Sequence, residues 1–455
     1  MRPAKANDTR RLGKGLFCGV VAFAAAWFSA GRSGSAEEPR VVLLYPVQPA
    51  TLSDGVLLGG LSDLAVVRDE AGGLTAWTLT DRGPNGMADV GGAKRRTLLA
   101  PDFVPTLVKL EVTAAGEATV ETLLPLAGAT GQPLSGRPNG AGRDEPILAA
   151  AGESALAADP NGVDPEGLVL MPDGSFWVCE EYRPSLLRVS AEGRVLERHV
   201  PEGVTLPGAD TKVVADLPAA YGDRRDNRGF EGLALSPDGE RLYVLLQSPL
   251  DHPGKKAAKQ TGNVRLLVAC AATGGPVAEH VYRLGDPADP NWAAKGAPPD
   301  DGKLCCLASL GDGTLLVLEQ DDTGLARLYQ ADPAAATDTL PRSRPAAGEN
   351  ESVEPVETIR DLAAAGIRPL AKRLIADLGP LVPRLRRDAF GGDGSGGGAR
   401  LKLEGLAVLD DRRIMLVNDN DFGVPDPQSP PPRSCLWVIE LPSPLPAHRS
   451  LTIQQ

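Results

Sequence analysis

Phe230-Glu231-Gly232-Leu233-Ala234-Leu235 is the stretch on which the fold turns, because the chain repeats it. Related copies stand at Gly60-Leu61-Ser62-Asp63-Leu64-Ala65-Val66, Asp164-Pro165-Glu166-Gly167-Leu168-Val169-Leu170 and Leu403-Glu404-Gly405-Leu406-Ala407-Val408. Each copy sets one acid before an apolar run that reads as a strand. A second strand follows each and ends in polar residues, at Trp77 to Asp81, Phe176 to Glu181, Leu242 to Gln247 and Ile414 to Asp419. A fifth copy, Leu304-Cys305-Cys306-Leu307-Ala308, keeps the rhythm but lacks the acid, a loss read at Cys306. Repetition of a two-strand unit predicts an all-β protein, a single β-propeller in which equivalent residues converge on one axis.

Turn chemistry supports this reading. Pro172-Asp173-Gly174, Pro237-Asp238-Gly239, Gly311-Asp312-Gly313 and Asp410-Asp411-Arg412 join first strands to second ones, and Gly and Asp tolerate the backbone conformations of tight turns. Third strands are expected at Ser185 to Val189, Arg265 to Cys270 and Leu325 to Tyr329, with a closing strand at Cys435 to Glu440. The copies are unevenly spaced, and a four-stranded blade needs about 40 to 45 residues. Long intervals therefore leave room for divergent blades, and the expectation is six within a range of five to seven. The domain is expected over 41–445. Segments 332–355 and 391–398 read as flexible insertions, and apolar spacing over 356–378 predicts a short helical insertion.

Residues 1–36 read as an export signal: basic residues precede an apolar run from Leu16 to Phe28, and Gly34-Ser35-Ala36 offers a cleavage site. Arg10-Arg11 leaves twin-arginine export open beside the general secretory route. The run is too short for a comfortable membrane span. A periplasmic or secreted protein is expected, monomeric and with no stable membrane span after cleavage.

With a net charge of −12 and 4% aromatic residues, the chain lacks both the basic footprint and the stacking platforms of nucleic-acid binders. Cys179, Cys270, Cys305, Cys306 and Cys435 show no Cys-x-x-Cys pair, so neither a zinc site nor a disulfide framework is predicted. No Gly-x-Ser-x-Gly elbow, His-Glu-x-x-His or Walker loop occurs. Ser248, near His252, is the one serine worth weighing as a nucleophile.

In this architecture Asp63, Glu166, Glu231 and Glu404 would meet at the axis. Clustered carboxylates repel unless a cation neutralises them, and oxygen-only ligands suit Ca²⁺, with Mg²⁺ as the alternative. Arg82, Arg183 and Arg228 lie beside these acids in sequence, and guanidinium groups bind phosphate or carboxylate. Glu181 or Asp419 would serve as the proton acceptor.

Several of these phrases resemble the phytase-like domain family, also described as having an esterase-like activity of phytase. The carriers are Asn227 to Ala234, Leu246-Gln247-Ser248-Pro249-Leu250, Leu403 to Ala407, Val417 to Gly423, Thr80 to Pro84 and Phe176 to Tyr182. The resemblance spans about residues 53 to 440 and implies an exported β-propeller with hydrolase activity on a small-molecule ester or phosphoester. The acid-rich signature of calcium-dependent propeller phytases is not visible here. Two other readings stay open: a non-catalytic binding module of the cell envelope, and a lactonase-like propeller hydrolase.

Overall fold

Short apolar runs bounded by Gly, Pro and Asp do become strands, and they assemble into antiparallel sheets one after another along the chain. The computed structural model describes residues 38–52, 55–68, 73–113, 115–140, 147–149, 154–256, 261–285, 302–321, 324–344, 354–391, 400–424 and 432–446. These belong to one compact unit, Glu38–Gln455. The expected export signal lies outside the described residues.

Strand β1 (Arg40–Pro46) leads into β2 (Leu61–Arg68) and β3 (Leu74–Thr80); the hairpin of β4 (Asn85–Val90) and β5 (Ala93–Leu98) intervenes before β6 (Thr106–Val112) and β7 (Ala118–Pro125). One sheet has the order β2-β3-β6-β7, while β8 (Leu148–Ala149) adds in parallel to β5. The second sheet is a meander of β9 (Pro165–Leu170), β10 (Phe176–Glu180), β11 (Ser185–Val189) and β12 (Val195–Pro201), edged by the parallel β13 (Lys212–Leu217). The third runs β14 (Phe230–Leu235), β15 (Arg241–Leu246), β16 (Asn263–Cys270), β17 (Pro276–Arg283). The fourth runs β18 (Lys303–Ser309), β19 (Leu315–Gln320), β20 (Ala326–Asp332), β21 (Ala371–Asp377). In the fifth, β22 (Lys402–Val408), β23 (Arg413–Asp419) and β24 (Cys435–Glu440) are joined by β1, which pairs antiparallel with β24 and sets Leu44 opposite Trp437.

The first strands of these five sheets touch in a cycle: β2 meets β9, β9 meets β14, β14 meets β18, β18 meets β22, and β22 returns to β2. Apolar side chains fill the wedges between neighbouring sheets. Trp77 of the first meets Phe176 of the second edge to face at 5.0 Å, and Leu233 and Val244 of the third pack with Leu307 and Val317 of the fourth. Where the copy spacing predicted six blades, the described residues hold five such meanders plus the small β4-β5-β8 sheet. Among their described residues the long intervals contain that small sheet and a rim segment.

The predicted helix over 356–378 is not formed. Residues 371–377 are β21, and 356–370 are turns in which Val356, Ile359, Leu362 and Ile367 are buried around Val281 of β17. Gly366, at φ 73°, takes a left-handed turn, and Pro369 lacks the amide a helix needs, so the helix-like spacing is satisfied by burial alone. The first part of the 332–355 insertion is anchored rather than loose: Thr339 is buried with its hydroxyl 2.9 Å from Glu279, and Leu340–Ser343 is a single helical turn. Residues 345–353 and 392–399 lie outside the described residues. Helix Val382–Phe390 packs Leu385, Ala389 and Phe390 into the fifth sheet's core. Among the described residues no helix is long and apolar enough to cross a membrane.

Candidate active site

The acid of the repeated phrase is a bulge residue. Pairing between first and second strands skips Glu166 in the second sheet, Glu231 in the third, Cys305 in the fourth and Glu404 in the fifth. A bulge leaves one residue out of the ladder and re-aims its side chain. The fourth sheet therefore offers Cys305 at the acid's position, not Cys306. In the first sheet Ser62 stays paired with Leu79 and the irregularity covers Asp63 and Leu64; the flanking pairs, Leu61 with Thr80 and Ala65 with Trp77, set Ser62 level with the acids of the other sheets and Asp63 level with their glycine.

That glycine position is where neighbouring first strands come closest. A Cβ on Gly167 would stand 3.1 Å from Leu233, one on Gly232 2.9 Å from Leu307, and one on Gly405 2.8 Å from the backbone of Asp63. Cys306 fills the same place in the fourth sheet, its Sγ 3.7 Å from the Leu403 carbonyl. Asp63, at φ 56°, turns its carboxylate to the backbone, accepting from the amides of Leu64 and Leu168 at 2.8 Å each. Asp63 thus joins the first sheet to the second and is not brought into the group of acids; the expectation that it meets them is corrected by these two bonds. Burial pushes its carboxyl well above the usual range, against the pull of both amides.

The acids that do converge are Asp164, Glu166 and Glu181, all buried, with one oxygen of each within 4.8 Å of the others. Ser62 donates to Glu166 at 2.8 Å. Arg82, buried and lying over the Tyr182 ring at 5.0 Å, stands 2.5 Å from Asp164 and 3.0 Å from Glu181, and also bonds to Asn227. Among the described residues Glu181 Oε1 has no hydrogen-bond partner. Glu231 accepts from Gln247 through Oε1, and its Oε2 is likewise without a partner.

The electrostatics run continuously around the ring. Burial raises the Asp164 carboxyl to about 7, opposed by Arg82 and reinforced by Glu181. Glu166 is raised first by burial, then by Asp164, Glu231, Glu181 and Glu404; Glu231 is raised by burial, then by Glu181 and Glu404. Burial lifts Glu404 to about 8, with Asp419 adding and Lys402 and Lys303 opposing. Asp81, at the end of the first sheet's second strand, is raised by burial and then by Asp419 and Asp164.

Positive groups answer on the far side. Lys402 binds Asp419 at 2.8 Å and Asp421 at 2.5 Å, and the Asp421 amide donates to the other Asp419 oxygen at 2.6 Å. Asp419 is thereby held on both oxygens, unlike Glu181. Arg228 donates to the Gly302 carbonyl at 3.2 Å, next to Lys303, and its charge interacts with Glu181 and Glu231. Arg183 is buried, with its amide 2.9 Å from Glu180, a carboxylate that itself pairs with Arg198 at 2.7 Å. Ser248 Oγ is buried with no hydrogen-bond partner, and His252 bonds instead to Asp223 at 2.7 Å. The five cysteines among the described residues are free thiols.

Asp164, Lys303 and Lys402 escaped the sequence reading although all three occupy one position of the repeat, two residues before the bulge. Aligning the copies on Leu61, Pro165, Phe230, Leu304 and Leu403 exposes that column: Gly60, Asp164, Gly229, Lys303 and Lys402.

A family model described as "Phytase-like: Esterase-like activity of phytase" matches residues 56–422, and the chain belongs to that family. An "Uncharacterized secreted protein" of Arthroderma benhamiae is 31% identical over 40% of this chain; the match spans 39% of that relative's length. Among solved structures, the PQQ-bound aldose sugar dehydrogenase of Streptomyces coelicolor covers 90% of this chain and 99% of its own at 13% identity and a TM-score of 0.32. The α-L-arabinofuranosidase PaAbf62A of Podospora anserina covers 89% and 99% at 11% identity and a TM-score of 0.35. Regucalcin of Agrobacterium tumefaciens, a calcium-binding protein, covers 89% and 98% at 12% identity and a TM-score of 0.30. At these scores the likenesses carry no argument.

Proposed function

We propose that this protein is an exported hydrolase that cleaves a phosphate or carboxylic ester with the help of a divalent cation, at the centre of a five-bladed propeller. The carrying observation is the Asp164-Glu166-Glu181 cluster, buried, mutually repelling and with an unpartnered oxygen on Glu181. An all-oxygen donor set fits Ca²⁺ or Mg²⁺. Asp164, Glu166 and Glu181 would hold the ion, which when bound polarises the ester and acidifies water. Arg82 fixes the orientation of Asp164 and Glu181 whether or not the ion is present. Glu231, with Oε2 unpartnered and its charge coupled to Glu181, takes the proton from the attacking water. Arg228 and Lys303 face the negative charge that develops on the substrate, and Lys402 holds Asp419 in place, opposing the upward push that burial puts on its carboxyl. The basic and apolar leader and the secreted relative support export.

The rival reading, a binding module, draws on Arg82, which already neutralises part of the cluster and makes a purely structural ring conceivable. The test is turnover of an aryl phosphate and an aryl acetate with calcium, magnesium or manganese supplied. Activity is expected, abolished by chelation, and in Glu231→Gln reduced at least about a hundredfold with the melting temperature kept. If neither ester is cleaved with any of the three cations, the hydrolase reading fails and the binding module takes its place.

A further inference from the structure

The rim of the third sheet carries a second charged site, far along the sheet from the ring of acids. There the 354–370 segment folds over β17, the outermost strand, and is held by a dedicated set of bonds. The Asn263 amide donates to the carbonyls of Val356 at 2.7 Å and Ile359 at 2.9 Å, and Thr261 donates to that of Glu357 at 2.8 Å. Arg265 grips the Glu357 carboxylate at 2.6 and 2.9 Å. The Leu370 amide returns to the Val281 carbonyl at 2.9 Å. This is a built surface, not a loose excursion.

Between the segment and β17 lies a cleft of about 710 Å³, whose walls include Arg283, Arg360, Arg368, Thr337, Leu362 and Ile367. Three arginines from three points of the chain therefore face one space in a protein whose net charge is −12. None of the three is in an ion pair among the described residues. Arg283 Nε is buried without a hydrogen-bond partner, and Arg368 spends one N–H on the Ala335 carbonyl at 3.2 Å. Asp361 lines the same cleft, so its walls set three arginines against one acid, and Asp361 Oδ1 accepts the Ala364 amide at 3.0 Å within its own turn. Three guanidinium groups facing one carboxylate leave the cleft net positive, and their fork of donors matches carboxylate or phosphate oxygens. The volume is in the range of small-molecule sites, and Ala363 and Pro369 add apolar surface beside the charges, over the buried Leu362 and Ile367.

We propose that this cleft binds a small organic dianion, carrying carboxylate or phosphate groups on an apolar body, independently of the axial site. Calorimetric titration of the full chain with phthalate and, separately, with inorganic phosphate tests it and tells the two anionic groups apart. Binding of at least one is expected. The exposed double variant Arg360→Gln/Arg368→Gln should weaken it at least about tenfold, the loss that follows from one charge-assisted hydrogen bond, and Arg283→Gln should weaken it again. The axial variant Arg228→Gln should leave it as in the wild type. Absence of binding at millimolar anion, an unchanged affinity in the double variant, or a loss confined to Arg228→Gln overturns the proposal. The readout does not depend on ester cleavage, so the hydrolase reading and this one fail separately.

Discussion

Asp63 and Glu231 carry the same kind of side chain in copies of the same phrase, yet the fold uses them in opposite ways. Both oxygens of Asp63 are filled by backbone amides, whereas Glu231 keeps one oxygen open. Replacing Asp63 by alanine would leave the buried Leu168 amide without its acceptor and place a Cβ residue with no local hydrogen bond at φ 56°. A loss of about 2 to 4 kcal/mol is expected by denaturant melting, with Asp63→Asn losing less because asparagine tolerates that conformation. Ester turnover by the folded fraction should be unaffected. The sequence could not separate the two acids: by eye the copies align on the acid, while the strands align on the apolar residue before the bulge. The same one-residue ambiguity assigned the missing acid to Cys306 when the thiol at that position belongs to Cys305.

At the scale of the element, strand composition and turn residues were legible almost throughout. The four hairpin turns, the third strands and the closing strand stand where their Gly, Asp and β-rich runs predict. The exception is 356–378, where apolar spacing mimicked a helix because the residues are anchored to β17 from a string of turns. Less legible was the purpose of the glycines after the bulge. They let adjacent first strands approach, so Gly232→Ala and Gly405→Ala should each destabilise by roughly 1 to 3 kcal/mol through overpacking. Gly405→Ala should cost more, since its Cβ would stand 2.5 Å from Val417 Cγ1 and 2.8 Å from the Asp63 backbone, whereas that of Gly232 would stand 2.9 Å from Leu307 Cβ. The hairpin-turn glycine Gly239, at φ 76° with nothing within 4 Å of a Cβ, gives a control for conformational strain alone.

For the molecule as a whole, the ring of buried acids makes stability depend on pH. Asp164 and Glu404 are raised to about 7 and about 8 in the fold, while an unfolded chain ionises such groups near pH 4. The folded state therefore holds protons that the unfolded state has already released. The stability they contribute is complete below about pH 4 and is lost as pH rises through 7 and 8. Metal-free protein is expected to melt at a lower temperature at pH 8.5 than at pH 5.5. Added calcium or magnesium should raise the melting temperature more at the higher pH, where the carboxylates are ionised. Equal melting at both values, or equal rescue, would contradict the cluster as described. Asp173 and Asp238, held low by serine hydrogen bonds in exposed turns, act below this window and do not mask it. The cycle of sheets and its closing strand could be anticipated from the sequence, but the partner of that strand could not, because the pairing of β1 with β24 joins segments from the two ends of the domain and local patterns carry no trace of a distant partner.

That pairing also orders events in time. Leu44 finds Trp437 across the fifth sheet only after nearly the whole domain has been synthesised, so a nascent chain carries an unfinished edge on β24's eventual partner until the last strand emerges. Contacts of such long sequence separation form late and slowly. The export proposed for this chain would then take one of two courses: thread the chain while its ends are still apart, or wait in the cytoplasm until they have met. The two courses leave different species on the inner side of the membrane, an open chain in need of a holdase or a closed ring already resistant to proteolysis.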